Sequence, residues 1–233
     1  MDYLFMLLIS FIAGFQAQGQ ADYTSWNQLL NKFVDASGNV DYTNLKKDRT
    51  NLDQIGTQFS IVKLQNSWNR NDQLAFWINA YNAFTLQIIV ENYPISSIQN
   101  LDGGKTWDVK RFIIDGTKYS LNQIENDIIR AKFNDPRIHF AVNCGAKSCP
   151  PLLNAAYEGN KLGQQLENQT KKFVNNTSFN SLSKTSVNVS KIFDWYKSDF
   201  DALISFLNKY SNSTINKNAK ITFQDYDWSL NRR

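Results

Sequence analysis

The sequence predicts an α+β domain with a mixed or mostly antiparallel sheet around a buried central helix. Three observations predict it. Helix-patterned and strand-patterned segments alternate irregularly, with no regular succession of βα units. NDQLAFWINAYNAFTLQIIVENYP, residues 71–94, is apolar on nearly every side at helical spacing, and a helix of that kind is buried all round. RFIIDGTKYSL, residues 111–121, joins two short runs through Asp115-Gly116, a pair that accepts the positive φ angles of a tight hairpin turn. At 233 residues, 42% of them hydrophobic, the chain can bury one substantial core and does not demand two domains.

Residues 1–19 carry an apolar run from Leu4 to Ala17 followed by small residues. This reads as a signal peptide, too short and too weakly flanked to span a membrane. The terminal amine supplies the only positive charge there, so a retained N-terminal anchor is the alternative. The expectation is a secreted or periplasmic protein with no membrane insertion after signal removal and a single domain over 22–233. DYTSWNQLLNKFV (22–34) spaces Trp26, Leu29, Leu30 and Phe33 as one helix face. A more polar helical stretch covers about 51–62. In the helix over 71–94, stopped by Pro94, Asn79 and Asn82 stand three apart on one stripe. Buried amides need partners: either they tie neighbouring backbone to the core, or they position a ligand or a catalytic group.

After the hairpin, SLNQIENDIIR (120–130) opens with Ser120 and Gln123 at capping-box spacing. On its helix, Glu125 falls in the middle of the arc made by Leu121, Ile124, Ile128 and Ile129. A carboxyl there calls for an ion pair or a backbone partner, or for a role beside His139. RIHFAVN (137–143) reads as a short strand. Then come a polar helix over 161–174, a strand-like SVNVSKIF (186–193), a helix over 199–210, and a last strand and turn over 220–231. The charge of +4 is mixed in sign without a basic run, which leaves no nucleic-acid footprint. No cofactor is implied, and the expected partner is an unidentified small molecule or peptide.

HFAVNCGAKSCPP, residues 139–151, holds the single histidine and both cysteines. As a thiol active site it offers Cys144 as nucleophile and His139 as base, with Glu125 or an asparagine orienting the ring. An extended strand would part the two by roughly 16 Å at about 3.3 Å per residue. Catalysis would therefore require the chain to bend back near Asn143 or Gly145. As a clasp, Cys144 and Cys149 need only close a short loop, with Gly145 turning it and Pro150-Pro151 stiffening its exit. Such a bridge would contribute about 2 kcal/mol. A metal would need three or four ligands, and His139, Cys144 and Cys149 supply three only without the bridge. No metal is assigned.

AFWINAYNAFTLQII, Trp107 with RFII, SLNQIE with Arg130, DPRIHFAVNCGAKSCPPL and the closing YDWSLN together resemble the family catalogued as domain of unknown function 547. These blocks run from about Trp26 to Asn231. The resemblance implies an exported member consisting of this domain alone. It directs attention to Asn79, Asn82, Glu125, Arg137, His139, Cys144, Ser148 and Cys149, with Asn79, Asn82, Arg137 and Ser148 as candidate ligand-positioning residues. It also implies that plant-type relatives keep counterparts of His139 and Cys144 but not of Cys149, which speaks against a purely disulfide role for Cys144. It supplies no reaction. Two readings follow: a thiol-dependent acyl or amide hydrolase or transferase, distantly papain- or transglutaminase-like or a degenerate relative, and a non-catalytic binding module stabilised by a Cys144–Cys149 disulfide.

Overall fold

The computed structural model describes residues 21–233, so the expected signal peptide lies outside the described residues. The fold is α+β, with helix far outweighing two small sheets. Helix α1 (Thr24–Phe33) buries Trp26, Leu29, Leu30 and Phe33, the face its spacing predicts. Helix α2 (Tyr42–Lys47) starts where the Asp41 side chain accepts from the Asn44 N–H, and α3 (Arg49–Ile61) follows directly. The central helix α4 (Arg70–Asn92) is capped by Asn69, which accepts from the Asp72 N–H at 3.0 Å. Every residue of α4 from Leu74 to Leu86 is buried. Its all-round apolar surface is met by α1, α2, α3 and the hairpin.

That hairpin pairs β1 (Phe112–Ile114) with β2 (Thr117–Tyr119), Ile114 opposite Thr117. Asp115 and Gly116 take φ of 48° and 75°, the conformation of a type I′ turn. Phe112 stacks on Phe84 of α4 at 4.3 Å, tying the hairpin to the core. The capping box forms as read: Gln123 N–H donates to Ser120 Oγ at 3.1 Å, and Ser120 N–H to Gln123 Oε1 at 3.2 Å. The helix it opens is wound as a π-helix over Gln123–Arg130 before the single turn α5 (Ala131–Phe133). Such winding is rare and gathers at functional sites.

The expected strand over 137–143 is corrected. Pro136–Phe140 is a 3-10 helical turn, with the Asp135 side chain accepting from the Arg137 N–H and Pro136 inside its first turn. Aspartate followed by proline starts a helix, and that local signal outweighs the apparent alternation of Ile138, Phe140 and Val142. Residues 138–143 are all buried, with no alternation between faces. Ile138 joins the core around α4, while Phe140 joins a second cluster with Phe173, Phe193 and Phe200.

The second cluster is built by α6 (Leu162–Val174), β3 (Ser181–Leu182), β4 (Ser186–Val189), α7 (Ile192–Trp195) and α8 (Leu203–Tyr210), while β5 (Lys220–Phe223) leaves all its residues exposed. β3 pairs antiparallel and β5 parallel to β4, so this sheet is mixed. The strand expected over 186–193 stops at Val189, and the helix expected from 199 begins at Leu203. Among the described residues no helix is long and apolar enough to cross a membrane.

Candidate active site

A cavity of about 240 Å³ is lined by Glu125 from the π-helix, His139 from the 3-10 turn, Cys144 and Cys149 from the following loop, and a group of aromatic rings. The chain bends so that His139 and Cys144 line the same cavity. Ala141–Asn143 turn, and Gly145 takes φ of +80°, open to glycine at no steric cost. A Cβ on Gly145 would also lie 2.3 Å from Cδ1 of Ile89, so both the angle and the close packing on α4 call for glycine there.

Asn82 and Asn143 hold that bend. Asn82 Nδ2 donates to the Ala141 carbonyl at 2.9 Å, and Asn82 Oδ1 accepts from the Asn143 N–H at 2.8 Å. Asn143 in turn accepts from the Gly145 N–H at 2.9 Å and donates to the Pro150 carbonyl at 2.7 Å. Asn79, a turn earlier in α4, accepts from Trp26 Nε1 and from the Tyr157 N–H and donates to the Tyr157 carbonyl. Neither Asn79 nor Asn82 lines the cavity. They satisfy backbone, the first of the two roles open to them. Arg137 is tied to Asp135 and Glu167 away from the cavity. Ser148 pins the closing segment: its Oγ accepts from the Asp227 N–H at 2.9 Å, and its N–H donates to the Asp227 carbonyl at 3.1 Å. That segment swings Tyr226 and Trp228 onto the cavity.

The two cysteines are free thiols, so the expected bridge is not formed in this structure. Cys149 Sγ accepts from the Cys144 N–H at 2.9 Å. Cys144 Sγ and the Tyr226 hydroxyl are 3.3 Å apart. Hydrogen bonds from Cys149, from Tyr226 and from the Ala146 N–H favour the thiolate of Cys144, holding it below the ordinary thiol value against the opposing effect of burial. Burial pushes Cys149 well above it. The two thiols are thus inequivalent, hydrogen bonds favouring the thiolate of Cys144 and burial the protonated form of Cys149.

The orienting partner of His139 is neither Glu125 nor an asparagine. It is Asp199, whose Oδ2 lies 2.8 Å from Nε2. Arg130 clamps the same carboxylate with Nε and Nη2, both at 2.8 Å. Burial holds the His139 ring below its ordinary value despite Asp199 and Glu125. The ring is therefore neutral and donates from Nε2–H, leaving the Nδ1 lone pair as the acceptor. Glu125 instead accepts from the Tyr196 hydroxyl at 2.7 Å, and Tyr196 stacks on the histidine at 4.1 Å. His139 and Cys144 share the cavity without a direct hydrogen bond, each bonded elsewhere.

The Arg130 hydrogen bonds, aided by His139, hold Asp199 well below the usual carboxylate range. Both shifts are downward. The stability each group contributes is complete above its unfolded value, near 6.5 for imidazole and 3.8 for carboxyl, and is lost as pH falls below it. The melting temperature is expected to fall on acidification below about pH 6.5. As His139 is the only histidine, a His139→Asn chain followed by calorimetry should lose the part of that fall lying above the carboxylate range.

The sequence model of the family described as "Protein of unknown function, DUF547" matches residues 65–174. Residues 65–174 belong to that family. The DUF547 stretch contains α4, the hairpin, the π-helix and the cysteine loop, hence Glu125, His139, Cys144 and Cys149. Asp199, Tyr226 and Trp228 complete the cavity from beyond it. No curated protein and no solved structure was found to match the chain. Among the described residues no group of three or more His, Cys, Asp or Glu side chains is placed to hold a metal ion.

Proposed function

We propose that this DUF547 protein is a thiol-dependent acyl or amide hydrolase or transferase. Cys144 is the nucleophile, His139 the base through Nδ1, and Asp199 the group that fixes the ring. One observation carries the reading: the thiol whose surroundings favour its thiolate and the neutral, carboxylate-oriented histidine face the same cavity. In resting enzymes the nucleophile–base bond is often long or formed only when substrate arrives. Here the thiol leaves Tyr226 to meet the ring. Tyr226 then donates to the sulfur in the resting state, and the proton taken by His139 returns to the leaving group.

We further propose that the protein works outside the cytoplasm, on the strength of its signal-like first 19 residues. An oxidising compartment favours closure of Cys144 on Cys149, so activity would depend on keeping the pair reduced. Pulsed alkylation of the reduced chain with iodoacetamide across a pH series, read by peptide mass spectrometry, tests the assignment. Cys144 should be modified first, with a midpoint below that of an ordinary thiol, and Cys149 should stay protected until unfolding. Equal or reversed reactivity of the two would remove Cys144 as nucleophile.

The second reading, a non-catalytic binding module, draws on the absence of a direct His139–Cys144 bond. It requires ligand binding without acylation, unaffected by His139→Ala.

A further inference from the structure

The mouth of the cavity is built from rings. Trp107, Trp195, Tyr196, Tyr226 and Trp228 all line it. Trp195 and Tyr226 are 4.8 Å apart, Tyr226 and Trp228 4.5 Å, and Trp107 and Trp228 5.7 Å. Trp195 is 46% exposed, a large apolar surface left facing water at the entrance.

The charges on this lining are one-sided. Glu125 is its only carboxylate, and no lysine or arginine belongs to it. Arg130 stands behind the wall, 4.8 Å from the centre of the Tyr196 ring and committed to Asp199. Glu125 is 7% exposed and forms its hydrogen bond with Tyr196 and, among the described residues, no ion pair. Arg130 reaches Glu125 only at longer range while bonded to Asp199, and a buried carboxylate without a direct ion pair is costly. A neutral apolar ligand would deepen that cost by excluding water, and an anion would be repelled by Glu125. An organic cation relieves it, and ring faces attract cations through their quadrupoles.

We propose that the aromatic rim and Glu125 form a cage for an alkylammonium group, so that the substrate is an acyl or amide compound carrying a small organic cation. This rests on the thiol-enzyme reading for the reacting bond but not for the binding. A cavity of about 240 Å³ is small beside ordinary ligand sites of roughly 300–1,000 Å³. It takes a head group, with the remainder of the molecule leaving past Trp195. A bound cation would also favour the Cys144 thiolate, coupling substrate arrival to activation of the nucleophile.

Calorimetry with the full chain carrying Cys144→Ser, which cannot turn over, separates binding from chemistry. The probes are choline and its neutral carbon isostere 3,3-dimethylbutan-1-ol. Choline is expected to bind about tenfold more tightly. Glu125→Gln should remove most of that preference with little change in the neutral compound. Trp195→Ala, at an exposed position where folding is not at stake, should weaken choline more than its isostere. Equal binding of the two probes, binding of neither, or a preference untouched by both variants overturns the cage. A preference for choline in a chain never acylated at Cys144 would keep the cage and remove the enzyme, while acylation without the preference would do the reverse.

Discussion

Cys144→Ser is expected to lower turnover of an activated ester such as p-nitrophenyl acetate by about 10⁴-fold, with the melting temperature nearly unchanged. The substitution swaps sulfur for oxygen at a partly exposed cavity position and keeps the acceptor facing Tyr226. A serine hydroxyl cannot be ionised by the hydrogen bonds that suffice for a thiol, so only the nucleophile is lost. Cys149→Ala should behave differently. It removes the largest influence favouring the Cys144 thiolate, so turnover persists while its dependence on the thiolate moves to higher pH. Steady-state rates across a pH series distinguish the two variants, since a merely structural role for the loop would slow both without moving the profile.

Asp199→Asn should be nearly as damaging by a different route. The amide has about the same size, but its neutral side chain no longer balances Arg130 and no longer demands a proton on Nε2 of His139. The ring is free to carry its proton on Nδ1, which abolishes the base. A rate loss of about 10³–10⁴ is expected, the scale seen when an orienting carboxylate becomes an amide. Losing a charged hydrogen-bond partner on a half-buried arginine should also cost about 2 kcal/mol of stability, measurable by urea unfolding. A structural role alone would show the second loss without the first.

Much of the fold could be read from local signals that nothing distant overrides. The hairpin follows from Asp115-Gly116, the capping box from Ser120 and Gln123, and α4 from its unbroken apolar surface. The turn at Pro136–Phe140 was masked because Ile138, Phe140 and Val142 alternate as a strand would. Their side chains instead serve two hydrophobic clusters from one tight segment. The π-helix carries no mark in its sequence. The cavity's near half was legible for the same reason, since Glu125, His139, Cys144 and Cys149 stand in compact motifs. Its far half was not. Asp199 lies 60 residues after His139 and Tyr226 lies 82 after Cys144. Asp199 stands between Tyr196 and Phe200 with no motif around it, and no periodicity reports a contact made through tertiary packing. Arg130 could have pointed to it, as a charge at the end of an otherwise buried helical stripe needs a partner. Asn143 shows the same limit: lying just before Cys144, it is the hub that holds the loop, yet nothing but its position set it apart from the chain's many asparagines.

In the proposed reaction Cys144 forms a covalent acyl intermediate with His139 taking its proton. Intact-mass and peptide mass spectrometry of the reduced chain, quenched in acid within the first turnover with p-nitrophenyl acetate, tests it directly. One acetyl group is expected on the Cys144 peptide in the unmodified chain and in Cys149→Ala, with its formation strongly slowed in His139→Ala. An acetyl group found elsewhere, or formed on Cys144 at the same rate without His139, would contradict it.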